Sequence, residues 1–292
     1  MAVEASTIVG PTGRTLEVGP RCQRVMGIVN LTPDSFSDGG LHVDAAAASD
    51  AALRMLACGA TLVDLGAEST RPGAAPVSAR EELARLLPAL ERLRPLTDAW
   101  ISIDTSKARV AEAALDAGAD LINDVTGLRG DPELAQVVAE RGAPIILMHM
   151  RGEPRTMQDA PHYEDAVAEV EAELAASIDL AARAGIPSEK ILLDPGIGFA
   201  KRDEDNRAVL LALERFVGSG YPVVLGVSRK GLIGRALANE AGILPPPIER
   251  DIGTVALTCE AWRAGVAIHR VHNVRYAVEA LRTLEAFGRK NL

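Results

Sequence analysis

The chain has few cysteines, and their positions show no spacing typical of a disulfide framework or a metal site. Cys22, Cys58 and Cys259 are isolated from one another along the 292 residues. An odd, scattered set of this kind is typical of reduced thiols, which indicates a cytoplasmic protein. The first ten residues include Glu4 and no apolar stretch, so no secretory signal is expected.

Long hydrophobic runs and an excess of positive charge are also missing. No apolar stretch approaches the roughly 20 residues that a membrane-spanning helix needs, so we expect no membrane partner. Acidic residues outnumber basic ones by 40 to 31, and the net charge is −9. This balance argues against nucleic acid as the main ligand. It stays compatible with a small anionic ligand, because a single site can be locally basic.

Eight short apolar runs are present instead, and helical patterns separate them. The runs cover residues 25–29, 62–65, 100–103, 121–122, 144–148, 191–193, 222–226 and 266–271. They are continuous rather than alternating, which is typical of strands buried on both faces of a parallel sheet. Eight strands that alternate with helices predict a (β/α)8 TIM barrel.

Two more strands precede the first of these runs. Ser6–Val9 and Thr15–Val18 flank a glycine- and proline-containing turn, which predicts an N-terminal β-hairpin over the closed end of the barrel. No glycine- or serine-rich linker divides the chain, so residues 1–292 are expected to form a single domain. The proline-rich segment 238–249 is interpreted as an insertion within the barrel.

Several helix boundaries carry recognisable signals. Ser78 and Glu81 have the spacing of a capping box. Asp131 before Pro132 predicts an N-cap followed by proline in the first helical turn. Residues 206–217 have the apolar spacing of one continuous helix.

Groups of mostly polar side chains follow the predicted strands at the point where each strand ends. They are Asn30, Glu68 with Ser69, Thr70, Arg71 and Pro72, then Asp104, Asn123, Asp124, His149, Asp194, Ser228 with Arg229 and Lys230, and Arg270 with His272. In a barrel the carboxyl ends of all strands meet at one mouth. A single aspartate after a strand is most often a helix cap, and Asp124 and Asn273 receive that interpretation. A whole series at successive strand ends predicts a functional site.

Cations dominate the last two strand ends. Lys230, Arg270 and His272 occupy the place where this fold usually seats phosphate. Arginine offers a planar fork to phosphate oxygens and lysine a point charge. Arg71 is a candidate to close over the same anion. The alternatives are a surface salt-bridge cluster for the three strand-end residues and a solvated loop charge for Arg71.

The opposite side of the predicted mouth is acidic. Asp104, Asn123 and Asp194 suit a heterocycle that carries amidine-like N–H donors. An acid/base pair and a metal site are the alternatives. No histidine lies at ligand spacing, so a tight transition-metal site is not expected. Asn30 together with diphosphate oxygens remains able to hold Mg²⁺, which needs few protein ligands.

Two histidines are less informative. His149 ends a strand, and its sequence position leaves open whether it lines the mouth or packs structurally. His269 is expected on the outer face of the barrel, opposite to Arg270.

Taken together, these motifs resemble dihydropteroate synthase over essentially the whole chain. The matching stretches are 26–30 with 32–40, 68–73, 102–105, 123–124, 193–196, 228–230 and 270–272. The resemblance implies a transferase of folate synthesis that condenses hydroxymethyl-dihydropterin diphosphate with para-aminobenzoate. It also implies a Mg²⁺ cofactor, a homodimer and a target of sulfonamides.

Residue roles are carried over from the same resemblance. Those implied to hold the pterin are Asp104, Asn123, Asp194 and Lys230. The diphosphate is implied to lie against Asn30, Arg71, Arg270 and His272, with Asn30 acting through Mg²⁺. The aminobenzoate pocket is implied to involve Thr70, Pro72, Ser228 and Phe36. Asp104, Arg71, Lys230 and Arg270 are the implied catalytic residues.

The expected mechanism is a dissociative displacement. An arylamine is neutral at pH 7 and needs no strong base, so the demanding step is the departure of diphosphate. The family pattern differs here at Ala67, Ile197, Ala200 and Asn273. Rival interpretations are a folate-dependent methyltransferase barrel, a pterin-binding paralogue without turnover, and an unrelated phosphosugar enzyme.

Overall fold

The N-terminal hairpin precedes a sheet of eight parallel strands. The computed structural model describes residues 5–20, 22–31, 40–69, 73–152 and 156–287, with the backbone alone at 40–44. The hairpin pairs β1 (Ser6–Val9) with β2 (Thr15–Val18) in antiparallel register. The sheet consists of β3 (Arg24–Asn30), β4 (Leu62–Gly66), β5 (Trp100–Asp104), β6 (Leu121–Asp124), β7 (Ile145–Met148), β8 (Ile191–Asp194), β9 (Val224–Leu225) and β10 (Ile268–Val271).

The strands follow one another around a barrel. From β3 to β8 each strand pairs with the next one in the chain, and β10 lies between β9 and β3. A parallel bridge from Leu193 to Val223 brings β8 against β9, where the Leu193 amide donates to the Pro222 carbonyl at 3.0 Å. The predicted barrel and hairpin are therefore confirmed. The strand bounds differ from the apolar runs by one or two residues at most ends.

Helices separate the strands and cover the outside of the sheet. They are α1 (Gly40–Ala57), α2 (Ala79–Leu93), α3 (Ala108–Asp116), α4 (Leu134–Glu140), α5 (Ala166–Arg183), α6 (Asp203–Leu211), α7 (Leu213–Val217), α8 (Gly231–Ala236), α9 (Asp251–Arg263) and α10 (Val274–Phe287). In the part of the chain that the structure describes, no helix is long and apolar enough to cross a membrane.

Two predicted helix boundaries differ in the structure. The helix α4 begins at Leu134 and not directly after Asp131, whose carboxylate accepts from the Glu133 amide at 3.1 Å in the turn before the helix. The other Asp131 oxygen accepts from the Ala108 amide at 2.8 Å, at the start of α3. The segment predicted as one helix over 206–217 is two helices that break at Ala212, and nothing in the local sequence marks the break. The Ser78 cap is confirmed, since its hydroxyl accepts from the Glu81 amide at 3.2 Å.

The hairpin covers the amino-terminal end of the barrel. Its apolar side chains pack on a layer contributed by all eight strands, formed by Met26, Leu62, Trp100, Leu121, Ile146, Leu192, Val224 and Ile268. The fully buried Asp120 fixes the hairpin in place, accepting from Thr12 at 2.8 Å and from Arg94 at 3.0 Å. With this end closed, the carboxyl ends of the strands form the only face on which the predicted site residues can meet.

Candidate active site

A buried charge cluster occupies the mouth of the barrel. Arg270 on β10 donates from Nε to Asp64 at 2.6 Å and from Nη2 to Asp104 at 2.7 Å. Asn123 on β6 donates to the same Asp64 oxygen at 3.0 Å. Side chains alternate along each strand, so these four point into the barrel. The barrel thus brings together residues that are far apart in sequence.

Burial sets the electrostatics of this cluster. It raises the pKa of Asp104, and Arg270 opposes that rise. It also lowers the pKa of Arg270, but Asp64 and Asp104 outweigh this effect and hold that pKa above its ordinary value. Arg270 therefore carries its charge at all relevant pH values and stabilises the ionised form of Asp104.

Asp194 and Lys230 face the same mouth. After burial, each is the leading charge in the other's surroundings. Burial raises the pKa of Asp194 and lowers that of Lys230 to about 8. Asp194 also lies close to Arg270, since a methyl group placed on Gly226 would be 3.9 Å from the Asp194 carboxylate and 3.8 Å from Arg270. The predicted neighbourhood of Asp194, Lys230 and Arg270 is confirmed.

The β8–α6 loop (residues 195–202) orients Lys230. Its ammonium donates to the Ile197 carbonyl and lies 4.6 Å from the centre of the Phe199 ring, a cation–π distance. Gly198 has φ +83°, and a Cβ there would stand 3.1 Å from the Lys230 stem. The backbone conformation thus favours glycine at this position, and a side chain there would press on the Lys230 stem.

Ser228 and His272 contact each other on neighbouring strand ends. The Ser228 hydroxyl accepts from the His272 amide at 3.1 Å and lies 2.9 Å from its Nδ1. Asn273 accepts from the Tyr276 amide at 3.2 Å, which confirms the predicted cap of α10. Its amide also donates at 2.9 Å to Asp251, a residue that the sequence interpretation did not single out.

His149 is a packed residue and does not line the mouth. It is 1% exposed, with Nε2 3.1 Å from Glu173 and Nδ1 2.8 Å from the Lys201 ammonium. Burial lowers its pKa to about 4. Of the two roles left open by the sequence, the structural one is confirmed.

Asp124 does not cap a helix as expected, because the next helix begins only at Leu134. It accepts from the amides of Thr126 and Leu128 at 2.8 and 2.6 Å, which stabilises a turn. His269 is buried on the outer side of β10 and lies 3.1 Å from Gln23. Within the described ranges, no group of three or more histidine, cysteine, aspartate or glutamate side chains could hold a metal ion.

Four predicted site residues, Phe36, Thr70, Arg71 and Pro72, lie outside the described residues. The base of the loop that carries the last three is described. Glu68 accepts from the Val77 amide at 2.9 Å and pairs with Lys107 at 2.6 Å. Lys107 also pairs with the buried Glu82 at 2.6 Å. Both ends of this loop are thus anchored to the start of α3. Asn30 ends β3 on the same rim and is partly exposed.

Sequence reasoning missed Asp64 in the cluster, and also Lys107, Phe199 and Lys201 in the loops around the mouth. Asp64 had a usable signal, because a charged residue inside the apolar run LVDLG must either be paired or disrupt the strand. Lys107, Phe199 and Lys201 carried no signal beyond their nearness to a strand end.

Comparison with known proteins agrees with the geometry of this site. The family model for pterin binding enzymes matches residues 26–272. A dihydropteroate synthase of Synechocystis sp. is 44% identical over 279 residues, which cover 96% of this chain and 95% of the relative.

Solved structures show the same likeness. A dihydropteroate synthase of Xanthomonas albilineans with 4-aminobenzoic acid has a TM-score of 0.89 and 43% identity, covering 98% of this chain and 99% of its own. A dihydropteroate synthase of Yersinia pestis in complex with a sulfonamide drug has a TM-score of 0.88 and 43% identity, covering 96% and 98%.

Proposed function

We propose, from the premise that this chain belongs to the dihydropteroate synthase family of pterin-binding enzymes, that the buried cluster at its barrel mouth seats the pterin diphosphate. The chain is a transferase of folate synthesis, and the substrate in this seat would be hydroxymethyl-dihydropterin diphosphate. The observation that carries this assignment is the convergence of Asp104, Asn123, Asp194 and Lys230 around Arg270.

The pterin would lie against the acidic side of the cluster. Asp104, Asn123 and Asp194 offer carboxylate and amide groups to the ring N–H donors. Lys230 would donate to a ring carbonyl or nitrogen. Their burial supports this role, because hydrogen bonds to a polar ring gain strength and selectivity where water is excluded.

The diphosphate would lie on the outer, cationic side. Arg71, Arg270 and His272 would stabilise the charge that develops on the leaving group. Asn30 on the rim fits a Mg²⁺ ion, since its side-chain oxygen is a hard ligand and phosphate oxygens with water would complete the coordination. When bound, such an ion would add positive charge beside the leaving oxygens.

The displacement would be dissociative. The C–O bond to diphosphate breaks first, and Asp104 stabilises the positive charge that spreads over the pterin. The aminobenzoate nitrogen then attacks with its lone pair, the C–N bond forms, and one amine proton leaves to solvent. Closure of the loops around the mouth would exclude water, which would otherwise capture the cation.

The aminobenzoate would bind at the outer edge of the mouth. Thr70, Pro72, Ser228 and Phe36 are proposed to shape this pocket. The Xanthomonas relative with 4-aminobenzoic acid and the Yersinia relative with a sulfonamide drug support an arylamine site in this fold. We expect sulfonamides to compete with aminobenzoate here as well.

A diphosphate-release assay with and without aminobenzoate tests this function. Wild-type enzyme should release diphosphate in a manner that depends on aminobenzoate, and a paralogue that only binds pterin should not. Lys230→Ala should abolish detectable binding of pterin diphosphate in calorimetry, whereas Thr70→Ala should mainly weaken the use of aminobenzoate. Unchanged pterin-diphosphate affinity in Lys230→Ala would contradict the proposed seat.

A cytoplasmic homodimer is part of the same proposal, with residues 1–292 as one domain in each copy. The dimer is supported by an apolar surface around the start of α9, where Ile243, Ile248 and Ile252 are 65%, 61% and 72% exposed. Exposed apolar groups of this size commonly mark an interface. Ile252→Glu should shift sedimentation toward monomer. Leu211→Glu, at an equally exposed position on α6, should leave the assembly intact.

A further inference from the structure

Lys201 is a fully enclosed cation that the proposed mechanism does not use. It is 2% exposed at the end of the β8–α6 loop. Its ammonium donates to the Gly196 carbonyl at 3.0 Å, to the Phe199 carbonyl at 3.3 Å and to His149 Nδ1 at 2.8 Å. Three acceptors match the three N–H donors of an ammonium, so the group is fully hydrogen-bonded.

The setting of this lysine is unusual. No carboxylate among the described residues forms an ion pair with its Nζ within 4.0 Å. Burial lowers the pKa of Lys201 to about 7, and the charge of the more distant Asp194 opposes this effect. Burying an ammonium without a contacting counter-charge is costly. Such a departure from the rule that buried charges are paired occurs mainly at functional sites. The acceptors of Lys201 show which site is concerned.

The two carbonyls belong to a short segment that contacts both Asp194 and Lys230, the two charged residues proposed to face the pterin ring. The Gly196 amide donates to Asp194 at 2.7 Å, and the Ile197 carbonyl accepts from Lys230. The Phe199 ring lies against the Lys230 ammonium. Lys201 therefore clamps the segment on both sides of Ile197, the acceptor that orients Lys230.

The clamp also joins two strand ends. His149 follows β7, and its Nε2 contacts Glu173 on α5 at 3.1 Å. A Cβ on Gly196 would lie 1.8 Å from the His149 carbonyl, so the loop packs directly on this residue. Through Lys201 the loop after β8 is thus tied to β7 and α5.

We propose that Lys201 is a positioning residue that holds the 196–199 backbone so that Asp194 and Lys230 are correctly aimed at the pterin. This role rests on the proposed pterin seat. Without the ammonium, the Phe199 carbonyl loses this donor and the Gly196 carbonyl keeps only the Phe199 amide at 3.1 Å, so the segment should shift to recover the lost hydrogen bonds. Lys230 and Asp194 would move with it, while the aminobenzoate edge of the mouth would not.

Lys201→Met tests the role, because methionine has a similar length and no donor. The KM for pterin diphosphate should rise by roughly tenfold to a hundredfold, the effect expected of a displacement near 1 Å. The KM for aminobenzoate at saturating pterin diphosphate should stay within about twofold. Calorimetry should show the same loss of pterin-diphosphate affinity. A merely structural role would reduce the active fraction, and hence the apparent kcat, and leave both KM values unchanged.

Lys190→Met is the matched control. Lys190 also donates to a backbone carbonyl, that of Gly142, but it precedes β8 at the opposite end of the barrel. Its substitution should leave both KM values at wild-type levels. Unchanged pterin-diphosphate affinity in Lys201→Met, or an equal change in Lys190→Met, would overturn the assignment.

A second variant covers the case in which Lys201→Met fails to fold. His149→Phe keeps a planar ring and removes the Nδ1 acceptor, so a smaller, several-fold rise in the pterin-diphosphate KM is expected, again without a change for aminobenzoate. No rise would refute the positioning role. If wild-type enzyme does not release diphosphate in response to aminobenzoate, the proposed function is wrong. Calorimetry of pterin diphosphate would still decide the role of Lys201 in that case.

Discussion

The Arg270 Nη2 atom lies 2.7 Å from the Asp104 carboxylate, so one side chain links the two halves of the mouth. The sequence suggested a cationic half for diphosphate and an acidic half for the ring. In the structure Arg270 also binds Asp64 at 2.6 Å, so two of its nitrogens serve the acidic half. Arg270 is therefore in a position to neutralise the floor beneath the pterin as well as to approach the leaving group.

Removing Arg270 should destabilise the fold. Arg270→Gln leaves two buried carboxylates without their partner, and loss of one member of a buried pair typically costs about 3–5 kcal/mol. Urea denaturation should show this as a lower free energy of unfolding. Because Arg270 and Asp64 share one network, Asp64→Asn added to Arg270→Gln should cost less than the two single changes together. Additive effects would contradict the coupling.

The barrel and most of its mouth could be predicted from the sequence. Continuous apolar runs mark strands that are covered on both faces, and a polar residue at each run's end lies on the common rim. Asp104, Asn123 and Asp194 were found in this way. Asp64 was missed because it lies inside a run, where the apolar neighbours dominate the pattern.

Other features depended on contacts that no local pattern reports. Asp131 accepts from the Glu133 amide before its own helix and also from the Ala108 amide at the start of α3, and only the first of these contacts is local in sequence. Lys201 could not be recognised as buried, since lysine is almost always exposed. Ala200 adopts φ +47° where the family resemblance led us to expect glycine, so the sequence departure and the left-handed backbone coincide there.

The affinity for pterin diphosphate should depend on the charge of Lys230. Burial lowers the pKa of this lysine to about 8, so the affinity should fall as the pH rises through that value. Stability should change in the opposite direction. Between about 8 and the ordinary value of 10.5 the folded enzyme binds fewer protons than the unfolded chain, so the free energy of unfolding rises with pH over that window.

Calorimetry between pH 6.5 and 9.5 measures the binding side of this prediction. Lys230→Arg is the matched control, because arginine keeps its charge throughout this range. Above pH 8, where Asp104, whose pKa burial raises to about 7, is already ionised, the affinity of this variant should be lower than wild type but independent of pH. A wild-type affinity that stays flat to pH 9.5 would show that Lys230 does not titrate in the free enzyme.

The hairpin should contribute to stability and not to catalysis. Asp120 is fully buried and accepts from Thr12, Arg94 and the Ile101 amide. Asp120→Ala leaves these donors unpaired, and a loss of about 3 kcal/mol is expected. Both KM values should remain unchanged, because the site lies at the other end of the barrel. Asp98→Ala, which removes the fully exposed partner of Arg14, should cause no measurable change.

The Lys107 ion pairs should control the loop that carries Thr70 and Arg71. Lys107 binds Glu68 at the start of this loop and the buried Glu82 on α2, each at 2.6 Å. Lys107→Met frees Glu68, so the loop is less well positioned and the aminobenzoate KM should rise several-fold. The affinity for pterin diphosphate without aminobenzoate should fall by less, because Arg71 is the one proposed ligand of this substrate that belongs to the loop. Arg141→Met removes comparable ion pairs between α3 and α4 and should leave aminobenzoate use unchanged.

Glu68→Gln separates the two ion pairs of Lys107. It should reproduce the kinetic change of Lys107→Met without the loss of stability that an unpaired Glu82 causes. Equal losses of stability in Lys107→Met and Glu68→Gln would show that the loop anchor, and not the buried carboxylate, determines the stability.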